Sequence, residues 1–321
     1  MVSLIISDVI GDPISMIASG PTVHDQVTAH QCYEIFNRLK VYDMIPSSIL
    51  QHLKRQIAHE ASMVRFKKPA MTSPLRSDSK RQTKEGAERV QNVLVGSNSI
   101  ACQAAFLRAR ELGYLPYILT TALEGEAFKT GRMLGKLGLF MLMCFDRKLA
   151  SHINVLKLEL DIIKDGVTKK QINEIITLVN TATNMACSAV IISGGESVVN
   201  VKGDGIGGRN LELAVGASIQ FQELLKLSEP RPTPDITLLS ADTDGEDGPN
   251  CFAAGAVINE NFGIEAQLDG YSCEDALNNN DTYTLLKSVK GGSHLVVTRM
   301  TGTNVMDIQV MIVRNPLCYA K

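Results

Sequence analysis

Residues 93–112 read VLVGSNSIACQAAFLRAREL, and this stretch shows the unit from which the first half of the chain is built. A short β-branched apolar run ends in a Gly/Ser/Asn loop, and an amphipathic stretch follows the loop. The same order recurs at LIISDV (residues 4–9) and at LPYILTTAL (residues 115–123), each of which leads into a polar loop. Repeated strand–loop–helix units predict an α/β fold with a largely parallel sheet.

The later half of the chain predicts a second domain. The stretch TKKQINEIITLVNTATNM predicts a helix that Thr168 caps, and AVIISGGESVVNV then predicts two strands around a Gly-Gly turn. The polar residues 67–89 predict a mobile loop. A chain of 321 residues is long enough for two domains. We therefore predict an incomplete Rossmann-like α/β domain with its bridging helices at residues 1–184 and a mixed α/β domain at residues 185–321.

Composition excludes several classes of partner. The formal net charge is −2 and Trp is absent, which argues against a nucleic-acid partner and against an anionic membrane surface. The longest apolar stretch, GLFMLMCF at residues 138–145, is too short to cross a bilayer. Seven Cys occur without any C-x-x-C spacing, which indicates a reducing compartment, and we expect a cytoplasmic protein.

The first candidate binding loop is KGDGIGGRN, residues 202–210. Its four glycines let backbone N–H groups turn toward one point, and the helix predicted after it adds its positive end. Arg209 stands at that helix start and can fork onto a carboxylate or phosphate. The pattern predicts an anion site, and a loop that uses Gly only to turn is the alternative. Gly203, Gly205 and Gly208 match G-x-G-x-x-G, but no strand ending in an acid follows at dinucleotide-site spacing.

The second candidate is the acidic loop SADTDGEDGP at residues 240–249. Like charges this close repel one another unless a cation or a helix N-terminus offsets them. A calcium loop is excluded because Asp247 stands where such a loop requires Gly. Two interpretations are left: a Mg²⁺ site that uses Asp242 and Asp244, and a solvated acidic turn that caps the next helix.

Three further loops follow predicted strands, at the sheet edge where α/β proteins bind ligands. Asp8 suits a general base, or a turn residue that bonds its own backbone. Gly96, Ser97 and Asn98 form either a helix N-cap or a nucleotide contact. The TGTN loop offers phosphate-binding groups or makes a tight turn, and it consists of Thr301, Gly302, Thr303 and Asn304. These loops and the acidic loop suggest phosphoryl transfer to a small anionic acceptor.

At these loops the chain resembles the glycerate 2-kinases that carry a MOFRL domain. The matching strings are SDVIGDPISMIASGPT, GSNSIACQAA, ALEGEA, SGGESVVNVKGDGIGGRNLELA, SADTDGEDGPNCFAAGAVI, NNNDTY and TGTNVMD. They occur in the family's order and span the chain almost from end to end.

The resemblance implies ATP-dependent phosphorylation of D-glycerate with Mg²⁺, in a cleft between two α/β domains, and we expect 2-phosphoglycerate as the product. It implies that Arg209 and Asp8 are catalytic. Nucleotide or substrate contacts are implied for the loops at 96–98 and 301–304. Further contacts are implied for Gly194, Gly195, Glu196, Gly207, Gly208 and Asn210. A homo-oligomer is left open.

The chain also departs from the family pattern. Members carry a segment before the S-D-V strand that supplies a Gly/Ser loop and a Lys implicated in phosphoryl transfer, and none precedes Met1. Arg299 and Met300 stand where the family often has Gly-Pro. We therefore expect part of the active site to be missing. The alternative function is a catalytically incompetent fragment or isoform that binds ligand or a full-length subunit, and for a longer form a mitochondrial location is open.

Overall fold

The computed structural model describes residues 1–23, 27–65, 90–145, 155–225, 236–249 and 251–316. The mobile loop predicted at residues 67–89 lies outside these ranges. The chain divides into two compact units, Met1–Ser3 with Ile14–Val93 and Leu4–Pro13 with Leu94–Lys321. Every candidate site residue belongs to the second unit.

The strands form two sheets. In the described residues the strands are β1 (Val2–Ile6), β2 (Gln91–Gly96), β3 (Leu115–Leu123), β4 (Ala189–Gly195), β5 (Ile236–Asp242), β6 (Gly255–Asn259), β7 (Leu295–Val296) and β8 (Asp307–Val313). A two-stranded sheet contains β1 and β2, and a six-stranded sheet has the order β3-β4-β8-β5-β6-β7. The β3–β4 pair is parallel, while the remaining pairs of the large sheet are antiparallel. This confirms the α/β class and the mixed sheet of the later part.

Helices cover the large sheet and build most of the first unit. They are α1 (Ala29–Arg38), α2 (Ser47–Arg65), α3 (Asn98–Glu111), α4 (Ala127–Phe145), α5 (Val155–Lys164), α6 (Lys169–Asn184), α7 (Arg209–Leu225), α8 (Phe262–Leu268), α9 (Cys273–Asn278) and α10 (Thr282–Ser288). Thr168 caps α6 as predicted, in a capping box with Gln171. In the described part of the chain, we find no helix that combines the length and the apolar character needed to cross a membrane.

The core of the second unit lies between the sheet and the pair α4 and α7. These helices approach closely because glycines face backbone at their contact. A Cβ atom on Gly131 would lie 2.0 Å from the carbonyl oxygen of Leu213, and one on Gly216 would lie 2.5 Å from that of Phe128. The close contact fixes the position of α7 against α4, and Arg209 is the first residue of α7.

Two details differ from expectation. The predicted second strand after the Gly-Gly turn is wrong, because β4 ends at Gly195 and Val198 makes only an isolated bridge with Glu126. In addition, β3 lies in the same sheet as the strands that follow residue 185. The domain boundary between residues 184 and 185 stays a prediction.

Candidate active site

Three strand ends meet at one edge of the large sheet. In the register of the sheet, Gly195 at the end of β4 and Asp242 at the end of β5 both lie opposite Asp307, the first residue of β8. Because β8 is antiparallel to its two neighbours, its first residue faces their last ones. Two buried carboxylates and a glycine turn therefore share this edge.

Arg209 joins these groups from the first turn of α7. Its Nε donates to both carboxylate oxygens of Asp307, at 3.0 and 2.9 Å, and its Nη2 donates to Asp242. Its Nη1 lies 3.4 Å from Glu196 Oε1. Asp242 and Asp307 are buried, whereas Glu196 is exposed. Arg209 is thus held by two buried carboxylates, and its Nη1 faces an exposed one.

Burial and charge act in opposite directions on these groups. Burial disfavours the charged form of Arg209, but Asp307, Asp242 and Glu196 outweigh this effect and its pKa is raised. Burial raises the pKa of Asp242 to about 7, although the amide of Asp244 and the charge of Arg209 lower it. Burial likewise raises the pKa of Asp307, against the hydrogen bonds from Arg209. The cluster therefore takes up protons more readily than exposed acids do.

The N-terminus of α7 is already occupied by an acid of the protein. Asp247 accepts from the amides of Asn210 and Leu211, at 2.9 and 2.8 Å. Gly208 permits this approach, since a Cβ atom there would lie 1.3 Å from the carbonyl oxygen of Asp247. Burial raises the pKa of Asp247 to about 7, while these hydrogen bonds lower it. Asp247 thus caps α7, which precedes the acidic loop, and its side chain is buried, whereas the sequence had suggested a solvated turn that caps the next helix. The two amides that Asp247 accepts from are not available to a ligand at the start of α7.

The glycine-rich loop also bonds mainly to the protein. The amides of Lys202 and Gly203 donate to Asn280 Oδ1 at 2.7 and 3.0 Å. The amide of Ile206 donates to Asp281 Oδ1, and that of Gly205 to the carbonyl oxygen of Asn279. Four loop amides are committed in this way and are not available to an anion. Contacts of Gly207 and Gly208 with a ligand stay a prediction.

Asn210 sits at the centre of a buried network. Its Nδ2 donates to Asp247 Oδ1 and Asp307 Oδ1, and its Oδ1 accepts from Ser240 Oγ at 2.6 Å. Both N–H groups and the carbonyl oxygen of this amide are therefore used inside the protein. The side chain of Asn210 stabilises the site and offers nothing further to a ligand.

The loop at residues 96–98 connects the small sheet to this edge. Ser97 caps α3, accepting from the amide of Ile100. Asn98 Nδ2 donates to the carbonyl oxygens of Val305 and Asp307 at 3.0 and 2.8 Å, so both of its donors are used. A Cβ atom on Gly194 would lie 2.1 Å from Asn98 Oδ1, so this position requires Gly. The structure supports the N-cap alternative for this loop.

Asp8 is connected to the same sheet edge by hydrogen bonds of residues next to it in the chain. The amide of Ser7 donates to the carbonyl oxygen of Gly96 at 2.9 Å, and Asn98 two residues later contacts Asp307, which holds Arg209. Asp8 is exposed, and its preceding residue Ser7 forms the local turn by accepting from the amide of Val9. Asp8 and Arg209 are linked by a short chain of contacts within one unit.

The acidic loop and the TGTN loop pack against each other. Asp244 Oδ1 accepts from the amide of Glu246, and the amide of Thr301 donates to the carbonyl oxygen of Asp244. Thr301 Oγ1 donates to the carbonyl oxygen of Thr243, while the loop around Gly302 is exposed. Asn304 Oδ1 accepts from the amide of Met306. In the described ranges, no group of three or more His, Cys, Asp or Glu side chains is arranged to hold a metal ion.

Two cavities open at this side of the sheet. A cavity of about 470 Å³, which we call the α7 cavity, is lined by Glu196, Ser197, Arg209, Glu212 and Asn280 among others. Its buried wall is formed by Glu212, whose carboxylate accepts from Asn280 Nδ2 at 2.7 Å. A second cavity, of about 490 Å³, lies between the end of β3 and the start of α4 and includes Glu124, Glu126 and Lys129.

Sequence reasoning missed several residues of this site. Asp307 and Asn280 stand inside strings that the sequence analysis quotes. Nothing in their spacing shows that their side chains are buried and hold other residues of the site in place. Ser197 and Glu212 also stand inside such a string, SGGESVVNVKGDGIGGRNLELA, without being chosen as site residues. A helical periodicity argument would have placed Glu212 one turn after Gly208 on the cavity side of α7, which is the one signal available for it.

The chain is similar to known proteins over nearly its whole length. The MOFRL family matches residues 189–307, and a domain of unknown function, DUF4147, matches residues 1–54. The chain is 34% identical over 317 residues to a glycerate kinase of Danio rerio and 32% identical over 323 residues to one of Macaca fascicularis. It is 30% identical over 311 residues to a glycerate 2-kinase of Pyrococcus horikoshii.

These matches cover nearly all of this chain but less of the relatives. The alignment with the Danio rerio protein takes in 97% of this chain and 58% of that protein, and for Macaca fascicularis the shares are 98% and 72%. For Pyrococcus horikoshii they are 97% and 55%. A crystal structure of a glycerate kinase from Thermotoga maritima superposes with a TM-score of 0.65 at 27% identity, over 97% of this chain and 56% of that one. The chain thus spans little more than half the length of most of these relatives.

Proposed function

Since the chain belongs to the glycerate kinase family, we propose that it serves the ATP-dependent phosphorylation of D-glycerate, with the α7 cavity as part of the active site. The observation that carries this proposal is the placement of Arg209. Asp307 and Asp242 fix its guanidinium at the edge of the cavity, while Nη1 points to the exposed Glu196. A preorganised cation of this kind stabilises charge that develops during phosphoryl transfer.

Other residues take supporting roles in this proposal. Asp8 would accept the proton of the acceptor hydroxyl, because it is exposed and follows Ser7, whose amide bonds to the loop that carries Asn98. Mg²⁺ would be held by Asp242 and Asp244, whose carboxylates keep lone pairs beyond their present hydrogen bonds, and Mg²⁺ needs only one or two carboxylates besides phosphates. Bound Mg²⁺ would neutralise phosphate charge. We further place the protein in the cytoplasm.

The test is an assay of ADP release by the purified chain with MgATP and D-glycerate. Phosphorus NMR of the product distinguishes 2-phosphoglycerate from 3-phosphoglycerate. We expect Arg209→Lys to lower turnover by at least about a hundredfold, because Lys cannot bridge Asp307, Asp242 and a ligand at once. Arg108→Lys is the matched control: Arg108 is exposed in α3 and pairs only with Glu111 in the described residues, so its turnover should equal that of the wild type.

A second function is favoured by one specific observation: amides of the glycine-rich loop and of the α7 N-terminus already bond within the protein and are not available to hold phosphate. In it the chain binds ligand, or a longer copy of the family, without turning over substrate. Binding of D-glycerate or ATP by calorimetry without ADP release would support this second function. Absence of both binding and turnover would contradict both functions.

A further inference from the structure

Ser197 is a buried residue whose hydroxyl makes no hydrogen bond in the part of the chain that the structure describes. It follows Glu196 at the end of β4, is 4% exposed and lines the α7 cavity. Its backbone amide bonds to Asp307, the same carboxylate that holds Arg209. Within the described residues, its Oγ has no hydrogen-bond partner. A buried hydroxyl left unbonded is unfavourable, so a residue of this kind in a cavity wall calls for a partner from outside.

Glu196 shows what kind of group fits beside Ser197. Its carboxylate lies 3.4 Å from Arg209 Nη1, and its side chain is 44% exposed. A pair this exposed is weak, so another carboxylate could replace Glu196 at Arg209 at little energetic cost. Arg209 therefore already faces a carboxylate in the cavity that Ser197 also lines, and Ser197 and Arg209 are joined through their bonds to Asp307.

Charge restricts the ligand further. The walls of the α7 cavity carry Glu196, Glu212 and Asp247, and Arg209 is already paired with Asp242 and Asp307. Surroundings this rich in acids disfavour a polyanion such as a triphosphate more than they disfavour a single carboxylate.

We propose that Ser197 and Arg209 together bind the carboxylate of the small hydroxy acid, which displaces Glu196 from Arg209. This inference rests on the proposed function and names the part of the site that takes the acceptor. Ser197 Oγ donates to one carboxylate oxygen and Arg209 Nη1 to the other. Nη1 carries a second N–H, which is left for the transferring phosphoryl group, and the other phosphates of the nucleotide are bound elsewhere.

The experiment measures binding by calorimetry to the purified chain, with D-glycerate and ATP as separate probes. For Ser197→Ala we expect D-glycerate to bind at least about tenfold more weakly and ATP to bind as in the wild type. For Glu196→Gln we expect tighter binding of D-glycerate, because the side chain that competes with it for Arg209 has lost its charge. The two variants thus shift the same Kd in opposite directions.

Ser193→Ala is the matched control, because Ser193 is a buried serine of β4 whose Oγ donates to Gln309 Oε1 at 3.1 Å. Its loss should lower the Tm by a few degrees and leave the Kd for D-glycerate unchanged. Ser197→Ala should leave the Tm unchanged or raise it, since no bond within the protein is lost. A fall in Tm as large as that of Ser193→Ala would show that the hydroxyl is structural and would overturn the inference.

The other outcomes are equally decisive. An unchanged Kd for D-glycerate in Ser197→Ala, a loss of ATP affinity in its place, or a wild-type chain that binds no D-glycerate would each overturn the inference. Binding of D-glycerate that depends on Ser197, without ADP release, would uphold the inference and count against turnover by this chain. ADP release together with a Kd for D-glycerate that is unchanged in Ser197→Ala would support turnover by this chain and would overturn the inference.

Discussion

At the scale of single residues, Asp307 organises the site. One buried carboxylate receives Arg209 Nε, Asn210 Nδ2 and the amide of Ser197. Arg209 and Asn210 open α7, Ser197 follows β4 and Asp307 opens β8, so their meeting depends on the register of β8 in the sheet. Arg209 at a helix start could be predicted from GGRN, but its anchor could not, because a lone Asp in TGTNVMD looks like any loop acid.

The same scale explains one departure from the family pattern. Arg299 has φ +62°, in the left-handed region that favours Gly, and the family often has Gly there. The carbonyl oxygen of Arg299 packs against Gly245, where a Cβ atom would lie 2.0 Å away. Arg299 therefore adopts a backbone conformation that Gly would adopt without strain.

Asp247 links the stability of the fold to pH. Its pKa is about 7 in the folded protein and near 4 in an unfolded chain, so the folded state binds more protons between these values. The contribution of Asp247 to the free energy of unfolding is fully present below about pH 4. It is lost as the pH rises to about 7, by at most roughly 1.4 kcal/mol per pH unit.

We expect the difference in free energy of unfolding, wild type minus Asp247→Asn, to fall between pH 4 and pH 7. Urea unfolding at constant ionic strength measures it, and the subtraction removes the titration of all other groups. A difference that stays level or grows with pH would show that the hydrogen bonds from Asn210 and Leu211, and not burial, dominate the titration of Asp247.

At the scale of elements, the contact between α4 and α7 sets the position of the site. The helical patterns of α3 and α6 could be predicted, since capping residues and apolar spacing are local signals. The contact of two helices through Gly131 and Gly216 could not, because glycine inside a helical stretch lowers the local propensity and shows its purpose only when a neighbouring backbone is known.

Gly131→Ala tests this contact. The added Cβ would meet the carbonyl oxygen of Leu213 at 2.0 Å, and backbone on both sides must shift, so we expect a loss of about 1–3 kcal/mol in free energy of unfolding. Gly138→Ala is the matched control in the same helix. Its Cβ would meet the side chains of Met311 and Ile236 at 3.0 and 3.2 Å, which can adjust, and the gain in helix propensity offsets the crowding. Equal losses for both variants would contradict a backbone contact at Gly131.

At the scale of the whole molecule, the α/β class followed from repeated strand–loop–helix units, and the loops after the strands do meet at one sheet edge. Spacing alone did not show which loop groups are already used by the protein. The amides of the glycine-rich loop bond to residues 279–281, and Asn98 and Asn210 are fully bonded internally. Long-range hydrogen bonds of this kind depend on strand order, which local sequence does not encode.

The most direct measurement is a crystal structure of the chain with D-glycerate bound. We predict density for its carboxylate within hydrogen-bond distance of Arg209 in the α7 cavity, with Glu196 turned away from the guanidinium. Density in the cavity between the end of β3 and the start of α4, beside Lys129 and with the Arg209–Glu196 pair intact, would contradict the assignment of the active site.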